Sequence, residues 1–249
     1  MRRLSARRRL HSLLVALALA ALLALACDDE PAPEAAVPAG ASVVSIPARD
    51  GARLDGRLFE ASSERIVLLL HMYTGDQADW WETARELQQR GTSALTFDFR
   101  GYGASSGEKG EAIDDDVRAA VEWARARGYE RIALVGASMG GTAAIAVADD
   151  ERVDGVVAIS APEEFLGIDA ETAIGEEPDT PVALVAAEGD VSAAHSLEAL
   201  AERGDLPHER VMVTPGRWHG TDLLDSPEGE RVSEFVYKFL DAEIGADPD

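Results

Sequence analysis

The string Gly136-Ala137-Ser138-Met139-Gly140-Gly141 is the part of this chain best suited to chemistry. A serine hydroxyl is a weak nucleophile unless a turn exposes it and a neighbouring base takes its proton. An apolar run through Val135 precedes Ser138, and small residues lead away from it through Ala148. That is the strand–turn–helix context in which G-x-S-x-G carries mechanistic meaning. Glycines two before and two after the serine let strand and helix approach closely, and a helix N-terminus favours developing negative charge. The amide of Met139, directly after the serine, is then a candidate oxyanion donor. The same string also serves as a glycine-rich turn with a serine helix cap, so the partners decide between the two.

A base and an acid must come from elsewhere in the chain. Five histidines are available: His11, His71, His195, His208 and His219. His11 lies in a basic, apolar leader, His71 ends an apolar run, and His195 falls early in a helical stretch. His208 precedes the last short apolar run, and His219 follows it in the glycine-flanked loop Pro215-Gly216-Arg217-Trp218-His219-Gly220. Among the acids, Glu188 and Asp190 follow the apolar run 182–186, where Asp190 also suits a helix cap before Ser192. Asp222 and Asp225 are near His219 in sequence but enter the next segment.

These residues sit at the ends of regularly spaced elements. Residues 42–47 and 53–59 have strand character around Asp50-Gly51, a hairpin signal. Short apolar runs follow at 66–70, 93–97, 132–135, 156–159, 182–186 and 210–213, with helical stretches at 79–90, 113–127, 140–149, 192–203 and 228–241. Continuous apolar strands alternating with amphipathic helices predict a mostly parallel sheet covered on both faces, with the early hairpin adding antiparallel strands at one edge. The segment between the runs ending near 159 and beginning near 182 is too short for a helical cap domain.

The elbow in this setting resembles those of α/β-hydrolases, and the resemblance covers nearly all of residues 41–245. It implies an α/β-hydrolase fold and carries the base to His219, in the loop after the last strand. The third member would be Asp190, with Glu188 in reserve. His71-Met72-Tyr73-Thr74-Gly75 is similar to the H-G-x-x-G loop of lipases and esterases, with Met72 in place of glycine. The resemblance makes the Tyr73 amide the second oxyanion donor, or alternatively its hydroxyl, and gives His71 a loop-holding role. Asp98-Phe99-Arg100-Gly101-Tyr102-Gly103-Ala104-Ser105 resembles a structural segment common in this fold, with Arg100 paired to a carboxylate. Trp218 would line the substrate pocket or pack as an aromatic. Asp114, Asp115 and Asp116 fit the charge preference of a helix start. The family implied is that of dienelactone-hydrolase-like and small carboxylesterase enzymes acting on small-molecule esters. Thioesterase, peptidase and non-catalytic binding readings stay open. Neither a cofactor nor a metal is implied.

The N-terminus carries a separate signal. Arg2, Arg3, Arg7, Arg8 and Arg9 precede an uncharged run from Leu13 to Ala26, too short to favour a spanning helix. The junction Leu23-Ala24-Leu25-Ala26-Cys27 is similar to the lipobox of bacterial lipoproteins. That resemblance implies a signal peptide over 1–26, lipid on Cys27, and an acidic proline-rich tether through residue 40. Ordinary secretion and an uncleaved anchor are the alternatives. The resemblance places the domain in the cell envelope on the periplasmic side, with Asp28 favouring the inner membrane. A formal charge of −23 excludes nucleic acid as a natural partner and repels anionic lipid headgroups, so membrane attachment falls to Cys27. Seven acids and no base occur between Pro162 and Thr180, which is expected to disfavour anionic substrates if that loop borders the site. In its native host, the mature protein is expected to yield an N-terminal peptide with lipid mass on Cys27. Mass spectrometry finding Cys27 unmodified would refute the anchor.

Overall fold

The computed structural model describes residues 37–175 and 180–245. The leader, Cys27 and the tether as far as residue 36 lie outside these residues, as do Glu176, Glu177 and Asp179 of the acidic loop.

The chain begins with the expected hairpin, strand β1 (Ser42–Pro47) pairing antiparallel with β2 (Arg53–Phe59). Its turn holds Gly51 at a φ of 95°, and the Ala52 N–H donates to Asp50 Oδ1 at 3.0 Å. Next come β3 (Arg65–Leu70), helix α1 (Trp81–Gln89), β4 (Ser93–Phe97), α2 (Ile113–Ala126) and β5 (Arg131–Ala137). The second half runs α3 (Met139–Glu151), β6 (Gly155–Ile159), β7 (Glu164–Phe165), β8 (Ile168–Asp169) and α4 (Ala170–Ile174). It closes with β9 (Val182–Ala187), α5 (Val191–Arg203), β10 (Val211–Thr214) and α6 (Gly229–Ile244).

Among the described residues, eight strands form one sheet in the order β1-β2-β4-β3-β5-β6-β9-β10. Pairing is antiparallel from β1 to β4 and parallel from there to β10. Alternation along the buried strands divides the core in two. Leu68, Leu134, Val156 and Leu184 face one cluster, with Val117 and Val121 of α2, Val147 of α3 and Leu200 of α5. Leu69, Val135, Val157 and Val185 face the other, with Leu87 of α1 and Val236 and Phe239 of α6. Trp80 belongs wholly to this second core, and Trp81 packs at its edge.

One piece of the architecture is absent from the sequence-based expectation. Residues after β6 form a small hairpin, β7–β8, whose turn residues Leu166 and Gly167 both have positive φ, 51° and 81°. A primed hairpin turn needs that geometry, and leucine is a poor advertisement for it. Asp169 then caps α4, accepting from the Thr172 N–H at 2.8 Å.

Backbone meets backbone closely where α3 reaches the sheet. A Cβ at Gly140 would stand 2.4 Å from the Leu70 carbonyl oxygen, and one at Gly136 would stand 2.3 Å from that of Gly140. Both obstacles are backbone, so no side-chain rotation relieves them. Gly140→Ala should therefore destabilise the fold by about 1–3 kcal/mol, the usual range for overpacking, read as a lower urea midpoint with an unchanged slope.

Candidate active site

The turn between β5 and α3 is strained at Ser138. Ser138 has φ 47° and ψ −115°, a region costly for any residue with a Cβ, and its N–H donates to the Ile159 carbonyl at 2.8 Å. The hydroxyl does not cap α3; it lies 2.8 Å from His219 Nε2. The other imidazole nitrogen, Nδ1, lies 2.6 Å from Asp190 Oδ2. Three residues separated by up to 81 positions thus form one hydrogen-bonded line. The Asp190 side chain stands at the N-cap of α5 without capping it, so the capping alternative fails and the carboxylate is spent on the imidazole. Glu188 is exposed, as are His195 and His208, and neither histidine reaches Ser138.

The His219 and Asp190 loops are stitched together by backbone. The Glu188 N–H donates to the Thr214 carbonyl at 2.9 Å, and the Gly189 N–H to the Gly216 carbonyl at 2.7 Å. A Cβ at Gly189 would stand 2.5 Å from that same Gly216 oxygen, so glycine is what lets the loops close. The Trp218 ring lies over Gly216, which is held at φ 101°, and packs with the second core cluster. Among the described residues, the contacts seen for Trp218 are packing contacts.

The loop after β3 is held by His71. Its Nε2 accepts from the Phe99 N–H at 3.0 Å, which leaves Nδ1 to donate to the Met72 carbonyl at 2.8 Å. The Nε2 bond requires the neutral ring, because a protonated Nε2 cannot accept, and burial pushes the pKa down to about 4. The Met72 carbonyl also accepts from the Gly75 N–H at 3.2 Å, closing a turn with Tyr73 inside it. Tyr73 N–H donates to no acceptor among the described residues. Met139 is the first residue of α3, so its amide is one that a helix leaves without an intrahelical partner. Met72, the departure from glycine, packs its sulfur where a Cβ on Gly220 would fall, 2.8 Å away. It fills the space between this loop and the His219 loop.

Sequence reasoning missed several supports. The phenol of Tyr102 donates to the Tyr73 carbonyl at 3.0 Å and lies 3.9 Å from the Met139 sulfur. Burial pushes that phenol well above its usual range, so it remains a donor. Gln77 ties the loop after β3 to Asp98, through its N–H at 2.9 Å and its Nε2 at 2.9 Å. Ser105 donates to the Asp98 carbonyl at 2.6 Å and is structural, as expected. Asp116 stands in the first turn of α2, as expected, and is also the carboxylate that Arg100 pairs with. It is fully buried and receives Arg100 Nε at 3.0 Å and Nη2 at 2.7 Å, whereas Asp114 and Asp115 remain at the helix surface. A concavity of about 1060 Å³ between α1 and α6 contains neither Ser138 nor His219, so chemistry rather than volume locates the site. Among the described residues, no group of three His, Cys, Asp or Glu side chains is arranged to hold a metal ion.

Residues 65–233, from β3 into α6, match the family described as the alpha/beta hydrolase fold. The chain belongs to that family. An uncharacterised protein of Mycobacterium tuberculosis is 36% identical over 125 residues, covering 47% of this chain and 44% of the relative. A carboxylesterase of Bacillus subtilis is 31% identical over 103 residues, covering 40% and 42%. The match thus spans less than half the length of these curated relatives. An esterase of Pyrococcus furiosus superposes with a TM-score of 0.71 at 21% identity, over 82% of this chain and 92% of that one. Est1E of Butyrivibrio proteoclasticus, solved with ferulic acid bound, gives 0.67 at 19%, over 81% and 99%. Likeness at these identities concerns the alpha/beta hydrolase fold itself.

The neutral His71 has a consequence for stability. Its folded pKa of about 4 lies below the ordinary histidine value of 6.5, so the unfolded chain binds the extra proton between those values. Stability is then full above pH 6.5 and declines as pH falls toward 4, by roughly 3 kcal/mol over the window. Denaturation of the wild type against His71→Gln should show this extra slope; parallel profiles would refute it.

Proposed function

We propose that this chain is a serine hydrolase that cleaves carboxylic esters through an acyl-enzyme on Ser138. The observation that carries the reading is the line Ser138–His219–Asp190, with bonds of 2.8 and 2.6 Å. In this reading Ser138 Oγ attacks the ester carbonyl carbon while its proton passes to His219 Nε2. Asp190 holds the imidazole through Nδ1–H and stabilises the imidazolium that forms. The carbonyl oxygen, now negative, is received by the amides of Met139 and Tyr73, whose N–H groups are the donors available beside the serine. Breaking the C–O bond sends the His219 proton to the leaving alcohol. Water then adds to the acyl carbon, His219 takes its proton, and the acid and free Ser138 are released.

An ester is favoured over a thioester or amide because a carboxylesterase stands among the relatives and an esterase among the fold neighbours. The dienelactone-hydrolase-like subtype remains part of the proposal. So does the domain plan, with a signal peptide over 1–26, a tether through 40 and the hydrolase domain over 41–245. Lipid on Cys27 would hold that domain to the membrane, working from the periplasmic side on small-molecule esters.

A fluorophosphonate should label Ser138 and no other residue. Ser138→Ala and His219→Ala should each lower kcat on p-nitrophenyl esters by about a thousandfold or more, with the double variant little worse than either. Near-normal turnover by folded Ser138→Ala would overturn the mechanism.

A further inference from the structure

The chain carries 46 acidic side chains and only two lysines, Lys109 and Lys238. One of the two stands at the lip of the Ser138 site. Lys109 Nζ lies 4.1 Å from the centre of the Tyr102 ring and 4.5 Å from that of Tyr73. Those rings belong to the residues that frame the oxyanion amides: Tyr102 bonds the Tyr73 carbonyl and touches the Met139 sulfur. Lys109 is not a freely swinging surface side chain at its root. A Cβ on Gly101, whose φ is 73°, would stand 2.3 Å from the Lys109 nitrogen, so the backbone there is seated against its neighbour. Across the lip, Phe165 meets the Tyr73 ring edge-on at 5.7 Å, and Leu166 packs over Gly110.

Two phenol faces position an ammonium without neutralising it. Among the described residues no carboxylate lies within ion-pair distance of Lys109, although Glu108 and Glu111 flank it in sequence. The nearby hairpin is acidic, with Glu163, Glu164 and Asp169, and Asp169 is occupied in capping α4. An anion approaching Ser138 therefore meets an acidic surround, with the Lys109 ammonium held on two aromatic faces on the oxyanion side and the exposed Arg217 in the loop of His219.

We propose that Lys109, seated on Tyr73 and Tyr102, is a subsite for a carboxylate carried on the acyl part of the ester. The inference rests on the Ser138 reading and sharpens its substrate class to half-esters of dicarboxylic acids. It reverses, at the lip, the discrimination against anions that the acidic loop suggests. An ammonium at this position attracts the carboxylate in ground state and transition state alike, so its effect falls on KM.

The test compares mono-p-nitrophenyl glutarate with neutral p-nitrophenyl pentanoate at low ionic strength, using the full chain. The ratio of their kcat/KM values should fall about fivefold in Lys109→Met, the scale of an exposed charge pair, and recover in Lys109→Arg. Added salt should shrink the difference between the wild type and Lys109→Met, because exposed charges are screened over about 8 Å at physiological ionic strength. An unmoved ratio in Lys109→Met, with Ser138 still labelled by a fluorophosphonate, overturns the subsite and leaves the hydrolase standing. Wild-type protein that neither turns over an ester nor takes the label overturns both.

Discussion

The α3 N-terminus is seated directly on the backbone of β3, where the Leu70 carbonyl leaves no room for a Cβ at Gly140. Much else follows from it. Bringing a helix that near to a buried strand requires residues without a Cβ at 136 and 140, and it forces the connection between them into a single sharp turn. That turn places Ser138 at a positive φ, a conformation that costs about 1–3 kcal/mol and persists only where the surroundings over-determine it. Here the surroundings are the two apolar clusters, which hold β5 and α3 whether or not the turn is comfortable. The same approach brings the first amides of α3 beside the end of β3, where the loop carrying Tyr73 begins.

Around this fixed point, a second layer is built from backbone bonds and neutral polar contacts rather than charge. The loops bearing Asp190 and His219 are tied by two amide–carbonyl bonds, and the loop after β3 is tied by a histidine that must stay neutral to make both of its bonds. Full charges are kept one step further out, where Arg100 and Asp116 pin the loop after β4 to α2. The arrangement holds the loops around Ser138 and His219 through backbone and neutral polar groups.

Electrostatics distinguishes the surface from this interior. Several arginines among the described residues are engaged with carboxylates, as with Arg118 and Glu151 or Arg210 and Glu243. Others lie over aromatic rings, as Arg90 does over Tyr237 and Arg127 over Trp123, and Lys109 stands on two rings at once. A charge supported by ring faces retains its reach, and in so acidic a protein its position matters more than its number.

Much was legible in the residues themselves. Alternating apolar runs with intervening amphipathic stretches specified the parallel sheet, because a strand buried on both faces needs continuous apolarity and a crossover needs a helix. The Gly136–Gly141 string specified the elbow, since only residues without a Cβ allow that approach. Tertiary structure decided what depends on distance between separated loops. It set Asp190 rather than Glu188, which follow the same strand two residues apart, against His219, and it made Asp116 of the helix start the buried partner of Arg100. It also made the β7–β8 turn at Leu166 and brought Lys109 onto two tyrosines. Neither leaves a pattern in sequence: local periodicity records which face of an element is buried, whereas the meeting of loop side chains depends on how several elements are stacked at once.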